Sequence, residues 1–230
     1  GFQIEVTGYR GDSGMLDMYT GKNISPGFFS WAIPTGETTR VGTWTKAELM
    51  NGLSSEQYLD RLLQDQKINS RFEICSEIAR FCGPVPSGIV KKPLVERVAL
   101  FGDSAGVCKP TTGGGIGPGF QQVDLLVPKL SKYLENNELN KGTMKSLSSL
   151  LKEMARKQRK KRALRDAFLT EMNDIELERI FDVWVRPEVT DLINEFGDIE
   201  NPIPLGIKML REVPEFRKLA GKAARAVLWG

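Results

Sequence analysis

The chain has 230 residues, 40% apolar and 27% charged, the values of an ordinary folded protein and not of a disordered tail or a fibre. Its 32 lysines and arginines against 29 acids leave a charge of +3, too small a total to mark an obligate nucleic-acid binder. It contains no histidine, which removes Ser-His-Asp and Cys-His catalysis, the HExxH zinc site and any imidazole proton shuttle.

The three cysteines, Cys75, Cys82 and Cys108, are too few and too odd in number for a disulfide framework or a structural zinc site. That points to a reducing interior compartment, the cytoplasm. No apolar run reaches the ~18 residues of a bilayer span. The opening Gly1-Phe2-Gln3-Ile4-Glu5-Val6 reads as a strand and not as a signal peptide. Without an initiator methionine, the chain is expected to be a piece of a longer protein.

The first third alternates. Phe2, Ile4 and Val6 occupy every second position, and Met15, Asp17 and Tyr19 continue a weaker period of two. Segments 28–33 and 39–44 are rich in aromatic and β-branched residues. Turn signals at Gly11-Asp12-Ser13-Gly14, Ser25-Pro26-Gly27 and Pro34-Thr35-Gly36-Glu37 separate them, which predicts an antiparallel sheet. One helix interrupts it, starting at Ser54-Ser55-Glu56-Gln57 with a stripe of Tyr58, Leu59, Leu62 and Leu63. Alternation through Phe72, Ile74, Ser76 and Ile78 predicts another strand over 71–79.

After the break at Gly83-Pro84-Val85-Pro86-Ser87-Gly88, the run Val98-Ala99-Leu100-Phe101 suits a strand buried on both faces. A glycine-dense loop follows over 102–119. Beyond it, Phe120, Val123, Val127, Leu130 and Leu134 recur at helical spacing, with Pro128 expected to kink the helix. Further helices are expected over 143–169, 175–185, 187–195, 205–211 and 214–228, with Asn173-Asp174 as a cap and Gly197 as a stop. The predicted class is α+β: an antiparallel sheet with one helix over 1–95, a strand–loop–helix piece over 96–136, and a helical region over 137–230.

The loop admits three readings. Gly102-Asp103-Ser104-Ala105-Gly106 fits the G-x-S-x-G elbow of serine hydrolases, but the serine has no histidine to take its proton. Pro110 and Gly113-Gly114-Gly115 also postpone the helix that an elbow requires at once. A plain connector is the second reading, against which three consecutive glycines weigh, because such freedom is entropically costly. The third is a cofactor cradle. Asp103 stands at the end of a strand, where its carboxylate can accept hydrogen bonds from sugar-like hydroxyls. Glycines 113–115 admit close backbone approach, and a helix starting near Gly115–Ile116 aims unpaired N–H groups at the occupant.

These residues carry a resemblance. Gly102-Asp103-Ser104-Ala105-Gly106 followed by Lys109-Pro110-Thr111-Thr112-Gly113-Gly114-Gly115-Ile116 resembles the second flavin-binding motif of the geranylgeranyl reductase family of FAD-dependent oxidoreductases. About seventy residues earlier, Pro26-Gly27-Phe28-Phe29-Ser30-Trp31-Ala32-Ile33-Pro34 is similar to that family's aromatic motif, P-x-x-[YF]-x-W-x-[FI]-P. Val41-Gly42, the Gly83-Pro84-Val85-Pro86 turn and Phe196-Gly197-Asp198-Ile199 fit the family's order. The resemblance implies that Gly102, Asp103, Gly106, Pro110, Gly113, Gly114, Gly115 and Ile116 bind FAD. Asp103 would take the ribityl chain, and the backbone at Gly115 and Ile116 the pyrimidine side of the ring. It also implies that Phe29, Trp31 and Pro34 line a tunnel for an isoprenoid lipid whose C=C bonds are reduced.

The family's N-terminal Rossmann unit with G-x-G-x-x-G is missing from this sequence. The chain therefore resembles the C-terminal portion only, which implies a Rossmann partner supplied in cis or in trans. No catalytic residue is assigned, and no metal is expected. Another flavoprotein of the same superfamily, such as a quinone oxidoreductase or a hydroxylase, is the alternative enzyme. A non-catalytic module is the other alternative. It would use the stretch 152–165, with eight basic residues and one acid, to bind lipid headgroups or nucleic acid. Of those two, contact with an anionic membrane is expected and nucleic acid is not. A solvated helix face remains the plain reading of that stretch. Cys108 beside Lys109 admits a lowered thiol pKa, with a bystander the plain reading. Trp44 is expected in the core, and 218–229 reads as an amphipathic helix that packs on the other tail helices, contact with a membrane being the alternative.

Overall fold

Period-two alternation places Phe2, Ile4 and Val6 on one face, and strand β1 (Phe2–Thr7) buries all three. The computed structural model describes residues 1–198, 202–217 and 221. Strands β2 (Asp17–Tyr19), β3 (Ser30–Pro34) and β4 (Thr39–Thr43) follow. After them come helix α1 (Ser55–Leu63) and strand β5 (Ser76–Cys82). The sheet order is β2-β3-β4-β1-β5, antiparallel throughout, with a register shift between Glu5 and Val6 where β1 meets β5.

One sheet face contributes Phe2, Ile4, Val6, Ala32 and Val41 to a core with Leu59 and Leu62 of α1. The capping box at Ser54 and Gln57 begins α1, each side chain bonding the other's backbone N–H. Short β2 is tied down by side chains. The Tyr9 hydroxyl donates to Asp17, Arg71 pairs with Asp17 at 2.7 Å, and Arg71 also donates to the Tyr19 hydroxyl at 3.3 Å.

Strand β5 starts later than the alternation predicts. Segment 72–75 is a turn closed by the Cys75 N–H on the Phe72 carbonyl, which sends Phe72 into the core and leaves Ile74 and Ile78 exposed. The expected strand buried on both faces is also corrected. It is the second arm of a two-residue hairpin, β6 (Leu94–Val95) with β7 (Val98–Ala99), and Val98 is 49% exposed. Arg97 takes a positive φ at the turn, so Val98 faces outward while Leu94 faces in.

Helix α2 (Ile116–Glu135) carries Pro128 inside it, and α3 (Lys141–Leu150) and α4 (Lys152–Arg165) follow. The single helix expected over 143–169 is broken at Leu151, whose N–H turns back to the Ser148 carbonyl, and residues Asp166–Thr170 form a π-helical turn. Beyond it lie α5 (Asp174–Trp184), α6 (Pro187–Phe196), α7 (Ile203–Glu212) and α8 (Pro214–Arg217). Asn173 caps α5 with a second capping box, and α6 stops at Gly197, both as expected. The amphipathic reading of 218–229 lies largely outside the described residues, as does Ile199.

The chain divides into two compact units. One holds Gly1–Pro84 together with the described part of 166–223, and the other is built on Val85–Arg165. The first has the sheet core and a helical core of Met172, Leu177, Ile180, Val183, Val189, Met209, Val213 and Phe216. In the second, Leu94, Ala105, Val107, Leu126, Met144, Leu147, Leu151 and Met154 pack together beneath the glycine loop. Among the described residues, no helix is long and apolar enough to cross a membrane.

Candidate functional site

The loop after β7 begins with a 3₁₀ turn, Gly102–Ala105, which ends at Gly106 in the left-handed region with φ +75°. A Cβ at Gly106 would run into the Gly88 carbonyl, and the Gly106 carbonyl accepts from the Gly88 N–H at 2.8 Å. This pins the loop to segment 85–90. The next turn is closed by Gly113 N–H on the Lys109 carbonyl, 2.9 Å, and Lys109 N–H on the Gly114 carbonyl, 3.0 Å. Helix α2 then starts at Ile116, where the glycine run predicts it.

No side chain caps the start of α2. Pro118 in its first turn has no N–H to offer, so the amides of Ile116 and Gly117 head the helix. Asp103 faces this end. A Cβ at Gly115 would stand 2.7 Å from Asp103 Oδ1, so any side chain there would displace the carboxylate. Asp103 is exposed, whereas Ala105, Val107 and Cys108 behind it are buried. A solvent-facing carboxylate thus sits against the positive end of a helix, on a floor of packed apolar groups.

Two buried glutamines hold this geometry, and neither stands out in the sequence. Gln122, fully buried on α2, accepts from the Gly102 N–H at 2.9 Å and donates to the Leu100 carbonyl at 2.9 Å. Gln158, buried on α4, accepts from the Ile89 N–H at 3.1 Å and donates to the Cys108 carbonyl at 3.3 Å. The basic stretch takes part as well. Arg165 is buried and donates to the Pro110 carbonyl at 3.0 Å, and Arg162 donates to the Ser87 carbonyl. The reading of 152–165 as a purely solvated face is therefore corrected for these positions, because free loop carbonyls draw the guanidiniums inward. Only an i+4 glutamine following Pro118 and a lone glutamine amid charges could have signalled the two glutamines.

Cys108 does not have the lowered pKa that its neighbour Lys109 could confer. Burial, and then the hydrogen bond its Sγ donates to Asp103 Oδ1 at 3.0 Å, push its thiol up to about 12 and not down. Lys109 does not offset the loss of water and the facing carboxylate.

The aromatic motif lies in the first unit. Phe28 stacks on buried Trp44 with ring centroids 3.6 Å apart, so Trp44 is core as expected. Phe29 meets Trp31 and Trp44 edge-on, both at 6.1 Å. Trp31 is half-buried on the sheet face opposite the core, its indole resting on Gly42 and donating to Gln3 Oε1 at 3.2 Å. Pro34 ends β3. The structure thus brings Phe29 and Trp31 together in one unit, and Asp103, Gly106, Pro110 and the 113–116 glycine turn in the other.

Replacing Gln122 by Leu takes the side-chain partner from the half-buried Gly102 N–H and Leu100 carbonyl. Chemical denaturation should show a loss of about 1–3 kcal/mol. The Cys108 thiol makes a second prediction. Its ordinary pKa is 9.0, so on raising the pH the unfolded chain releases this proton first. The stability it contributes is complete below pH 9 and lost as the pH rises toward about 12. At pH 8, Ellman's reagent should modify exposed Cys82 readily and Cys108 only after denaturant is added.

No protein-family model matches the chain. An uncharacterised protein of Methanocaldococcus jannaschii is 29% identical over 218 residues, covering 92% of this chain and 53% of that protein. A digeranylgeranylglycerophospholipid reductase of the same organism is 27% identical over 143 residues, 62% of this chain and 36% of the enzyme. The chloroplastic geranylgeranyl diphosphate reductase of Nicotiana tabacum is 33% identical over 102 residues, 44% of this chain and 21% of the enzyme. Among solved structures, a geranylgeranyl bacteriochlorophyll reductase-like protein of Thermoplasma acidophilum superposes with a TM-score of 0.75 at 21% identity, covering 96% of this chain and 54% of that one. That likeness establishes an α+β fold in common. The chain spans about half the length, or less, of the curated relatives it matches. These matches, of low identity and partial coverage, support a likeness to the geranylgeranyl reductase family.

Proposed function

We propose that this chain supplies the substrate-side sheet and one flavin contact of a FAD-dependent reductase acting on the C=C bonds of geranylgeranyl chains. The observation that carries the reading is the approach of the Asp103 carboxylate to the uncapped start of α2 across Gly115.

The donor set suits the group. A free carboxylate oxygen accepts from hydroxyls, and the adjacent helix amides donate to a carbonyl or a ring nitrogen. A ribityl chain attached to a pyrimidine-type ring offers both. Bare phosphate fits poorly, since Asp103 would repel it. A Cβ at position 115 would strike Asp103 Oδ1, so the glycine there lets the carboxylate stay beside the helix start. Gly102, Gly106, Pro110, Gly113 and Gly114 shape the turns on either side. When bound, FAD would supply the hydride chemistry that no side chain of this chain offers. The residues themselves bind and orient it. Asp103 fixes the polyol, and the amides of Ile116 and Gly117 favour negative charge near their end of the ring. Phe29, Trp31 and Pro34 present an apolar wall to the isoprenoid lipid.

Residues 96–136 would contribute this contact to a flavin domain completed by a Rossmann portion, in cis or in trans. Helix α2 supports that reading. Ile116 and Phe120 are 78% and 67% exposed, and with Val123, Val127 and Leu134 they form one solvent-facing apolar stripe that starts at the cradle. Exposed Lys152, Lys157 and Arg159 on α4 would meet an anionic membrane surface, where a lipid substrate resides.

Riboflavin and lumiflavin share the ring and differ in the ribityl chain. Titrating both, followed by flavin fluorescence, should show Asp103→Ala weakening riboflavin roughly tenfold while lumiflavin changes less than twofold, the loss of one charge-assisted hydrogen bond. FAD itself should bind the isolated chain weakly and tightly only with a Rossmann portion added. Equal affinity of the parent and the variant for riboflavin would remove the cradle assignment.

A further inference from the structure

We infer that Cys108 is a positioning residue for Asp103, presenting that carboxylate to a ligand through one fixed oxygen. The inference takes the identity of the ligand from the flavin reading, and the positioning itself from the geometry.

The Cys108 side chain lies beneath the loop, 1% exposed, and its Sγ donates to Asp103 Oδ1 at 3.0 Å. The same oxygen is the one that a Cβ on Gly115 would strike. Oδ1 therefore lies bonded to the thiol and close to Gly115, the residue before α2. Among the described residues no donor bonds Oδ2, so Oδ2 is the oxygen offered to a ligand hydroxyl. Asp103 is itself exposed, and an exposed side chain without such a tether exchanges rotamers on the picosecond-to-nanosecond scale. Ordering it on binding would cost affinity, which a tether removes in advance.

A thiol suits the position. It is a weak donor that tolerates burial as a small apolar group, and here its one strong acceptor is the carboxylate. Its raised pKa keeps the proton on sulfur at neutral pH, so the donor is always present. The backbone around it is independently fixed, since Gln158 takes the Cys108 carbonyl and the Val107 N–H reaches the Gly102 carbonyl. Loss of the thiol would therefore release Asp103 without releasing the loop.

Cys108→Ala and Cys108→Ser remove similar volume, and only the serine keeps a donor. In the ligand-free chain, side-chain three-bond couplings measured by NMR should show one χ1 rotamer for Asp103 in the parent and in C108S, and averaging in C108A. In riboflavin titrations, C108A should bind about three- to tenfold more weakly and C108S within about twofold of the parent. A single Asp103 rotamer in C108A, or equal losses of affinity in the alanine and serine variants, would overturn the inference. If the parent binds no riboflavin, the flavin reading falls, and the rotamer measurement still decides whether Cys108 positions Asp103.

Discussion

The constraint on which the site in the second unit depends is steric: the start of α2 approaches the Asp103 carboxylate so nearly that a side chain at position 115 would push the carboxylate aside. Everything proposed for the site follows from that contact. It brings a hydrogen-bond acceptor with full negative charge beside the amides of a helix start, which is an unusual pair to leave facing water. In most helices a side chain at the cap satisfies the first amides. Here the cap is a glycine, and the nearby carboxylate is occupied on one oxygen by a thiol. The remaining acceptor and donors would suit the proposed ligand, which both donates and accepts.

Such an arrangement survives only if the backbone around it cannot relax. The glycines that permit the close approach also loosen the loop, and the structure offsets this with buried polar side chains from two helices. Gln122 spans the junction of strand and turn, while Gln158 and Arg165 bind carbonyls farther along. Each bond contributes only about 1 kcal/mol in net stability, but leaving its buried partner unmade costs more, so the set acts as a restraint. The basic helix therefore has two duties. Some of its charges hold the loop, and the others remain exposed on the far face.

Local signals in the sequence were legible where the chemistry is local. The capping boxes at Ser54 and Asn173, the alternation of β1, and the glycine run preceding α2 act within a few residues and stand where expected. Boundaries set by distant packing were not. Phe72 leaves its strand pattern because the core draws it in, and Val98 escapes burial because its strand is only a hairpin arm. The glycine loop and the aromatic set are singled out by spacing and resemblance, and each set is gathered within one unit. The alternative of a lowered Cys108 pKa fails because Lys109 is its neighbour in sequence, whereas Asp103 is its neighbour in space. Gln122 and Gln158 gave no signal, since a polar residue on a helix usually faces water.

The most direct test of the central claim is a map of backbone amide shifts in the 15N-labelled chain as riboflavin is added. The cradle account predicts that the amides of Asp103, Gly115, Ile116 and Gly117 move first and with a common saturation curve. Shifts confined to other surfaces, or none at concentrations where the flavin is soluble, would contradict it.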